Sequence, residues 1–268
     1  MSVWLTIPSA RPPEEAERVL KLWRRQGYKI ALWRDTVKDS PVAESGIWAD
    51  VYPRYAQACN IWTDIYPGYA QACNELIKLV MKIDPQAEWF VCAGDDTEPD
   101  LAHSAEQIAA QCLNHFTAER MKREIEEVDF TTLPSVQRPQ STFGVMQPTG
   151  DRFADGSIDR ICGSPWIGRE FARRMYGGNG PYWPEYRHMF VDEELQEVAL
   201  KMGILWQRRD LIHLHRHFQR ESDALNSNAG MRPMPAHLVE SNSPEHWAKY
   251  SKIFKDRKAN GFPGHEPI

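Results

Sequence analysis

The strongest constraint on this chain is a change of hydrophobic period within its first 33 residues. Val3-Trp4-Leu5-Thr6-Ile7 reads as a short buried strand, stopped by Pro8 and Ser9. Pro12-Pro13-Glu14-Glu15 then opens a helix, with proline and acids in its first turn. Ala16, Val19, Leu20 and Trp23 fall on one face of that helix, and Gly27 supplies its stop. Lys29-Ile30-Ala31-Leu32-Trp33 is a second strand, ending at Arg34-Asp35. A strand–helix–strand start of this kind predicts an α/β fold. It argues for a parallel sheet.

The pattern continues. Tyr69, Ala72, Cys73, Leu76, Val80 and Ile83 share a helical face that ends at Asp84-Pro85. Glu88-Trp89-Phe90-Val91-Cys92-Ala93 is a strongly apolar strand that delivers Gly94-Asp95-Asp96 at its end. Ser104 to Phe116 predicts a helix, and residues 117–160 read as irregular apart from a charged helix near 118–127. Trp166 to Tyr176 and Asp192 to Met202 predict two more helices, followed by a strand at Ile204-Leu205-Trp206. Ser243-Pro244-Glu245 opens a last helix, with Trp247, Tyr250, Ile253 and Phe254 on its apolar face, and the tail 259–268 reads as loose.

Between the second strand and the next helix lies a tandem repeat. Residues 47–60 read IWADVYPRYAQACN and residues 61–74 read IWTDIYPGYAQACN, identical at eleven of fourteen positions. Two short copies do not make a solenoid. Only the second runs on into the apolar helical face, so it occupies the element the fold requires. The first copy is expected to be an inserted loop or an extra helical turn.

Composition narrows the class. At 268 residues, 42% hydrophobic and 26% charged, the chain has material for a real core and is no disordered tail protein. No apolar run reaches the roughly 18 residues of a membrane span, and no signal-peptide pattern opens the chain. A soluble, cytoplasmic protein is the expectation. The five cysteines, Cys59, Cys73, Cys92, Cys112 and Cys162, form no CxxC pair, which argues against a disulfide framework or a cysteine zinc site. The net charge is −5. Acidic side chains dominate residues 1–156 and basic ones residues 201–268, so only the C-terminal segment is suited to a polyanion.

Four clusters could carry chemistry. Ligands of open α/β sheets bind beyond the carboxyl ends of the strands, where Ser9 and Arg11, Arg34 and Asp35, and Asp95 and Asp96 are delivered. Adjacent aspartates after an apolar strand suit a hard divalent cation carrying a phosphate, or else a solvated turn with a helix cap. His213, His215 and His217 alternate along an extended segment, which turns them to one side as metal ligands or as a surface cluster. Asp192, Glu193 and Glu194 open a helix, where acids suit the dipole and one could be a general base. Gly163-Ser164-Pro165-Trp166-Ile167-Gly168-Arg169 is a glycine-rich turn entering a helix, without a Walker or dinucleotide signature.

In order along the chain, these elements resemble the GT-A glycosyltransferases, in particular the inverting, family 2-like branch, over residues 2–220, which implies a Rossmann-like α/β fold with a mixed, mostly parallel sheet flanked by helices. The resemblance implies a metal-dependent transfer of sugar from a nucleotide-sugar donor, foremost a UDP-sugar, with Mn²⁺ or Mg²⁺ as cofactor. Asp95 and Asp96 are similar to the family's DxD-type motif, with Asp96 the direct metal ligand. Gly94 stands where many members carry a further acid. Asp35 resembles the acid that binds the base, and Ser9 and Arg11 the loop that starts the nucleotide pocket. Arg169 joins the donor-binding set. Asn74 resembles a structural asparagine of the helix before the metal strand. Asp192 stands at the place of the catalytic base, and His213 or His215 at that of the late histidine completing the metal site.

The chain is also similar to short proteins of this fold from phages and their hosts, some of which glycosylate hydroxymethylated pyrimidines in DNA. That implies double-stranded DNA as acceptor. It would be met by Lys249, Lys252, Lys255, Arg257 and Lys258 and by stacking on Trp183 and Tyr186. Residues 221–268 would then be a helical extension near the acceptor side. A small-molecule, lipid-linked or protein acceptor is the alternative, and a non-catalytic nucleic-acid-binding protein is the rival of another class. A nucleotidyltransferase would call for a glycine-rich, lysine-containing first loop, which Ser9-Ala10-Arg11-Pro12-Pro13 is not.

Overall fold

The computed structural model describes residues 1–11, 13–34, 46–49, 67–126, 141–151, 159–217 and 236–265. Strand β1 (Ser2–Ser9) lies at the heart of the sheet, parallel to β2 (Lys29–Arg34) and to β4 (Ala87–Cys92). Edge strand β3 (Gly46–Ala49) runs antiparallel to β2. Beyond β4 lie β7 (Trp166–Gly168), β6 (Val145–Pro148) and β8 (Leu205–Arg208), giving the order β3-β2-β1-β4-β7-β6-β8. Only β3 and β7 run against the rest. A separate two-stranded ribbon pairs β5 (Thr97–Glu98) with β9 (Leu214–His215).

Strand alternation feeds two cores, one on each face of the sheet. On one face Trp4, Ala31, Trp33, Phe90 and Cys92 meet α2 (Tyr69–Ile83), α4 (Arg169–Arg174) and α5 (Val191–Lys201). On the other, Leu5, Ile7, Ile30 and Val91 meet α1 (Pro13–Arg25) and α3 (Ala105–Glu126), with Trp23 and Phe116 fully enclosed. Both faces are covered, which is why these strands read as near-continuous apolar runs. The expected α/β architecture is the observed one.

Several local readings are corrected. Residues 166–176 are not one helix: Trp166–Gly168 form β7, then α4, then a single 3₁₀ turn at Met175–Gly178. The charged helix expected near 118–127 is there, but as the unbroken continuation of α3, and the irregular stretch beyond it contains the buried strand β6. Ile47, Trp48 and Ala49 of the first repeat copy are neither loop nor helix. They form β3, because β2 offers them an unpaired edge. Residues 69–74 of the second copy open α2 as expected, and residues 50–66 lie outside the described residues. The tail is not loose up to residue 265. After α6 (Ala236–Val239) and α7 (Pro244–Ala259), Phe262 is buried and the Gly264 carbonyl accepts the Tyr176 N–H at 2.6 Å.

Candidate functional site

Parallel pairing of β1 with β4 brings both carboxyl ends to one edge of the sheet. There the Ser9 hydroxyl donates to Asp95 Oδ2 at 2.6 Å, and Arg11 Nε donates to Asp95 Oδ1 at 2.7 Å. Arg11 Nη2 stands 3.7 Å from Asp96 Oδ2. Asp96 Oδ1 lies 3.3 Å from His215 Nε2. Burial alone would push the Asp96 carboxyl up. The facing His215, Arg11 and His217 reverse that and hold it well below the usual carboxylate range. Asp95 is thus fixed by Ser9 and Arg11, while Asp96 faces the His215 imidazole.

Gly94 has a steric reason to be glycine: a β-carbon there would sit 2.6 Å from Asp96 Oδ1. The residue that departs from the resembled motif is the one over which the Asp96 carboxylate folds.

His215 is brought to Asp96 by main-chain anchors that sequence reading missed. The Arg216 N–H donates to the Asp96 carbonyl at 2.7 Å, and its guanidinium grips both Glu98 carboxylate oxygens at 3.0 and 3.1 Å. Asp151, just past β6, accepts the His215 N–H at 3.1 Å, and Asp100 accepts the Ile212 N–H at 3.0 Å. The only sequence signal for these was their place beyond strand ends. His213 goes elsewhere. Its Nδ1 is 3.1 Å from Ser164 Oγ, its ring meets Trp23 edge-on, and burial pushes its pKa down to about 4 against the opposing charge of Asp100. The alternation argument for one-sided histidines fails here because only Leu214–His215 is strand. His213 lies before it.

Asp192 occupies the first turn of α5, with its carbonyl accepting the Cys162 N–H at 3.2 Å. Helix α5 leads directly into β8, which runs parallel to β6 and β4, so the first turn that carries Asp192 lies toward the carboxyl ends of those strands. Burial first, and then the adjacent Asp192 with which it hydrogen-bonds, pushes Glu193 up to about 9. Asn74 clasps the backbone of Tyr182 in both directions, at 2.8 and 3.1 Å, which fits its structural reading.

Arg169 is not brought to this group. Because β7 is antiparallel, Gly168 pairs with Trp89 near the start of β4, and Arg169 emerges at the opposite end of the sheet. Its guanidinium donates to the carbonyls of Met81, Asp84 and Ala87. Asp35 lies outside the described residues. The expected base-stacking pair is also committed elsewhere. Tyr186 is buried with its hydroxyl 2.8 Å from Glu194 Oε2, and the Arg257 guanidinium lies 3.7 Å from the ring centre of Trp183. Arg257 itself is buried, whereas Lys249, Lys252, Lys255 and Lys258 are exposed.

Among the described residues no group of three or more His, Cys, Asp or Glu side chains is arranged to hold a metal. The Asp96 carboxylate nevertheless suits Mn²⁺ or Mg²⁺, ions commonly held by one or two carboxylates plus substrate phosphates, whereas the His215 imidazole does not suit Mg²⁺. No helix among the described residues is long and apolar enough to cross a membrane.

No protein-family model and no curated protein matches the chain. Among solved structures, the catalytic domain of Drosophila β1,4-galactosyltransferase 7 with xylobiose is 12% identical. It covers 84% of this chain and 75% of its own, with a TM-score of 0.44. A mutant of that enzyme in complex with manganese, UDP-Gal and xylobiose is 10% identical over 92% and 82%, at 0.42. A glycosyltransferase involved in glycosylation of the major capsid of PBCV-1 is 7% identical over 64% and 61%, at 0.32.

Proposed function

We propose that the protein is an inverting GT-A glycosyltransferase that uses a nucleotide-sugar donor, foremost a UDP-sugar. The observation that carries this reading is the pairing of Asp96 with His215 at the carboxyl end of β4, beside the Ser9–Arg11–Asp95 cluster. A cation centre for a diphosphate belongs at that edge of an open α/β sheet. Residues 1–220 form the transferase unit in this reading, with 221–268 appended to it.

Asp96 and His215 would hold the divalent cation, whose Lewis acidity neutralises charge on the leaving diphosphate. Ser9 and Arg11 keep Asp95 in place, and the Arg11 guanidinium adds fixed positive charge beside the phosphates. Asp192 takes the proton of the acceptor hydroxyl. The oxygen then attacks the anomeric carbon from the face opposite the diphosphate. As that C–O bond forms, the bond to the phosphate oxygen breaks and its electron pair leaves with the nucleoside diphosphate. One displacement inverts the carbon. Hydroxymethylated pyrimidines in double-stranded DNA are the acceptor that the exposed lysines of α7 favour. Small-molecule, lipid-linked and protein acceptors are the other outcomes of the same assay.

The test is a mass-spectrometric screen of UDP-sugars with Mn²⁺ for hydrolysis or transfer, with hydroxymethylated DNA among the acceptors. Asp96→Ala should remove metal-dependent donor binding in calorimetry. Asp192→Asn should keep donor affinity and lose turnover by about 10²- to 10⁴-fold. Turnover near wild type in Asp192→Asn would reject the base, and unchanged Mn²⁺ and donor affinity in Asp96→Ala would reject the cation site.

A further inference from the structure

We infer that helix α7 is the positioning element for Asp192. It grips the turn of α5 that carries Asp192 from both sides, through Arg257 on Glu194 and through Trp247 and Phe254 on Phe190. The inference rests on the transferase reading for what Asp192 does, whereas the grip itself is a set of observed contacts.

Glu194 is 1% exposed and its carboxylate is saturated. Oε1 accepts from the Tyr176 hydroxyl at 2.8 Å and from Arg257 Nη2 at 2.6 Å. Oε2 accepts from the Tyr186 hydroxyl at 2.8 Å and from Arg257 Nε at 2.8 Å. Arg257 is 8% exposed, lies over the Trp183 ring, and gives its remaining reach to the Pro263 carbonyl at 3.0 Å. A buried ion pair of this kind adds little stability over well-packed apolar residues of the same volume. Its distinctive property is direction: a bidentate guanidinium–carboxylate contact fixes orientation as well as distance.

That direction bears on Asp192 through helix geometry. Two residues along an α-helix turn about 200°, so Glu194 and Asp192 look to nearly opposite sides of α5. Locking Glu194 against α7 sets the rotation of the helix about its axis, and with it the heading of Asp192 on the far side. The second hold acts on the way into the helix. Phe190 has φ +68°, a left-handed conformation disfavoured for a bulky residue. Its ring is stacked on Phe254 with centroids 5.3 Å apart and tilted against Trp247 at 4.9 Å. Two residues before Asp192 the backbone is held in a strained turn by α7, and two residues after it the helix is held in azimuth by α7. Tyr250, Arg257 and Phe262 of the C-terminal segment are accordingly buried, while its lysines stay exposed.

The experiment compares Arg257→Lys and Arg257→Met in the full chain. Three quantities are read: thermal stability, steady-state hydrolysis of the best UDP-sugar with Mn²⁺, and amide hydrogen exchange across residues 190–196. Misplacing the base should lower kcat by about 10- to 100-fold in Arg257→Met with donor KM unchanged, because the cation site lies on other elements. Exchange should rise in 190–196 while the strands of the sheet stay protected. Arg257→Lys, which keeps the charge but not the fork, should recover part of kcat. A folded Arg257→Met with wild-type kcat and wild-type exchange in α5 would overturn the inference. So would a parallel rise in donor KM without local exchange, or unfolding of both variants, which would assign the pair to global stability. If instead Asp192→Asn keeps its turnover while exchange still rises in Arg257→Met, the base assignment fails and the grip stands.

Discussion

Replacing Gly94 by alanine separates fold from site more cleanly than deleting a ligand. The new β-carbon would stand 2.6 Å from Asp96 Oδ1, where ordinary contact begins at 3.4 Å, so the carboxylate must retreat by about 0.8 Å. The obstructing atom is the free end of a short side chain, and rotation of Asp96 relieves the clash without moving backbone. An off-rotamer side chain costs about 0.5–1.5 kcal/mol. Losing a glycine from the unfolded chain returns about 0.4–1 kcal/mol, so stability should change little. The site is less forgiving. Asp96 Oδ1 and His215 Nε2 now face each other at 3.3 Å, and ligand positions tolerate only about ±0.2 Å. Mn²⁺ affinity in the presence of UDP should fall about 10- to 100-fold, the range seen when groups supporting metal ligands are altered. That is about 1.4–2.7 kcal/mol. Isothermal titration of Mn²⁺ with UDP, beside a thermal melt, reads both quantities. A folded variant that binds Mn²⁺ within twofold of wild type would refute the argument, because Asp96 would then not ligate from its observed orientation.

Three further outcomes are expected. Arg169→Met should lower stability by about 2 kcal/mol, since a charged donor to three carbonyls is lost from a half-buried place, and should leave donor affinity unchanged; weakened UDP binding would return Arg169 to the donor site. Buried His213 has a folded pKa of about 4, below its ordinary value, so its contribution is intact above about pH 6.5 and is lost as pH falls toward 4 while the unfolded chain takes up the proton. The loss is about 3 kcal/mol, and denaturant titrations of His213→Asn should lack that part of the acid slope. Deleting residues 47–60 should leave a cooperatively folding protein by circular dichroism, because Ile61-Trp62-Thr63 would follow Gly46 in place of Ile47-Trp48-Ala49; loss of the cooperative transition would show that the two copies are not interchangeable.

What the sequence made legible was set by period and length. β1, β2 and β4 are apolar runs between recognisable stops, and α1 and α2 carry long one-sided faces, so the edge where Ser9, Arg11, Asp95 and Asp96 meet could be placed in advance. β7 could not. A three-residue strand enters no periodicity window, and Trp166–Gly168 is a strand only because β4 and β6 flank it. That single reversed strand is what carried Arg169 to the wrong end. β6 was hidden for a related reason, being four buried residues ending in proline. The choice between His213 and His215 needed the ribbon of β5 with β9, a pairing between residues more than a hundred positions apart. The grip of Arg257 on Glu194 spans 63 positions and had no local signal, since an arginine in the last turn of a helix is ordinary.

The divided use of the repeat has a consequence for how this chain can change length. The structure draws β3 from the front of one copy and the start of α2 from the back of the other. A single copy holds both pieces in the same order, and any larger number would still begin with a strand segment and end with a helix start. Gain or loss of a whole copy therefore leaves both anchor points spelled correctly. Only the number of residues between them varies, and each doubling of a connection's length adds only about 0.6 kcal/mol to its closure. An in-frame slip of the gene at this point is nearly silent to folding, whereas a slip of the same length anywhere within β4 or α5 would erase the site. The segment is a place where variants of different length can accumulate while the sheet remains the same.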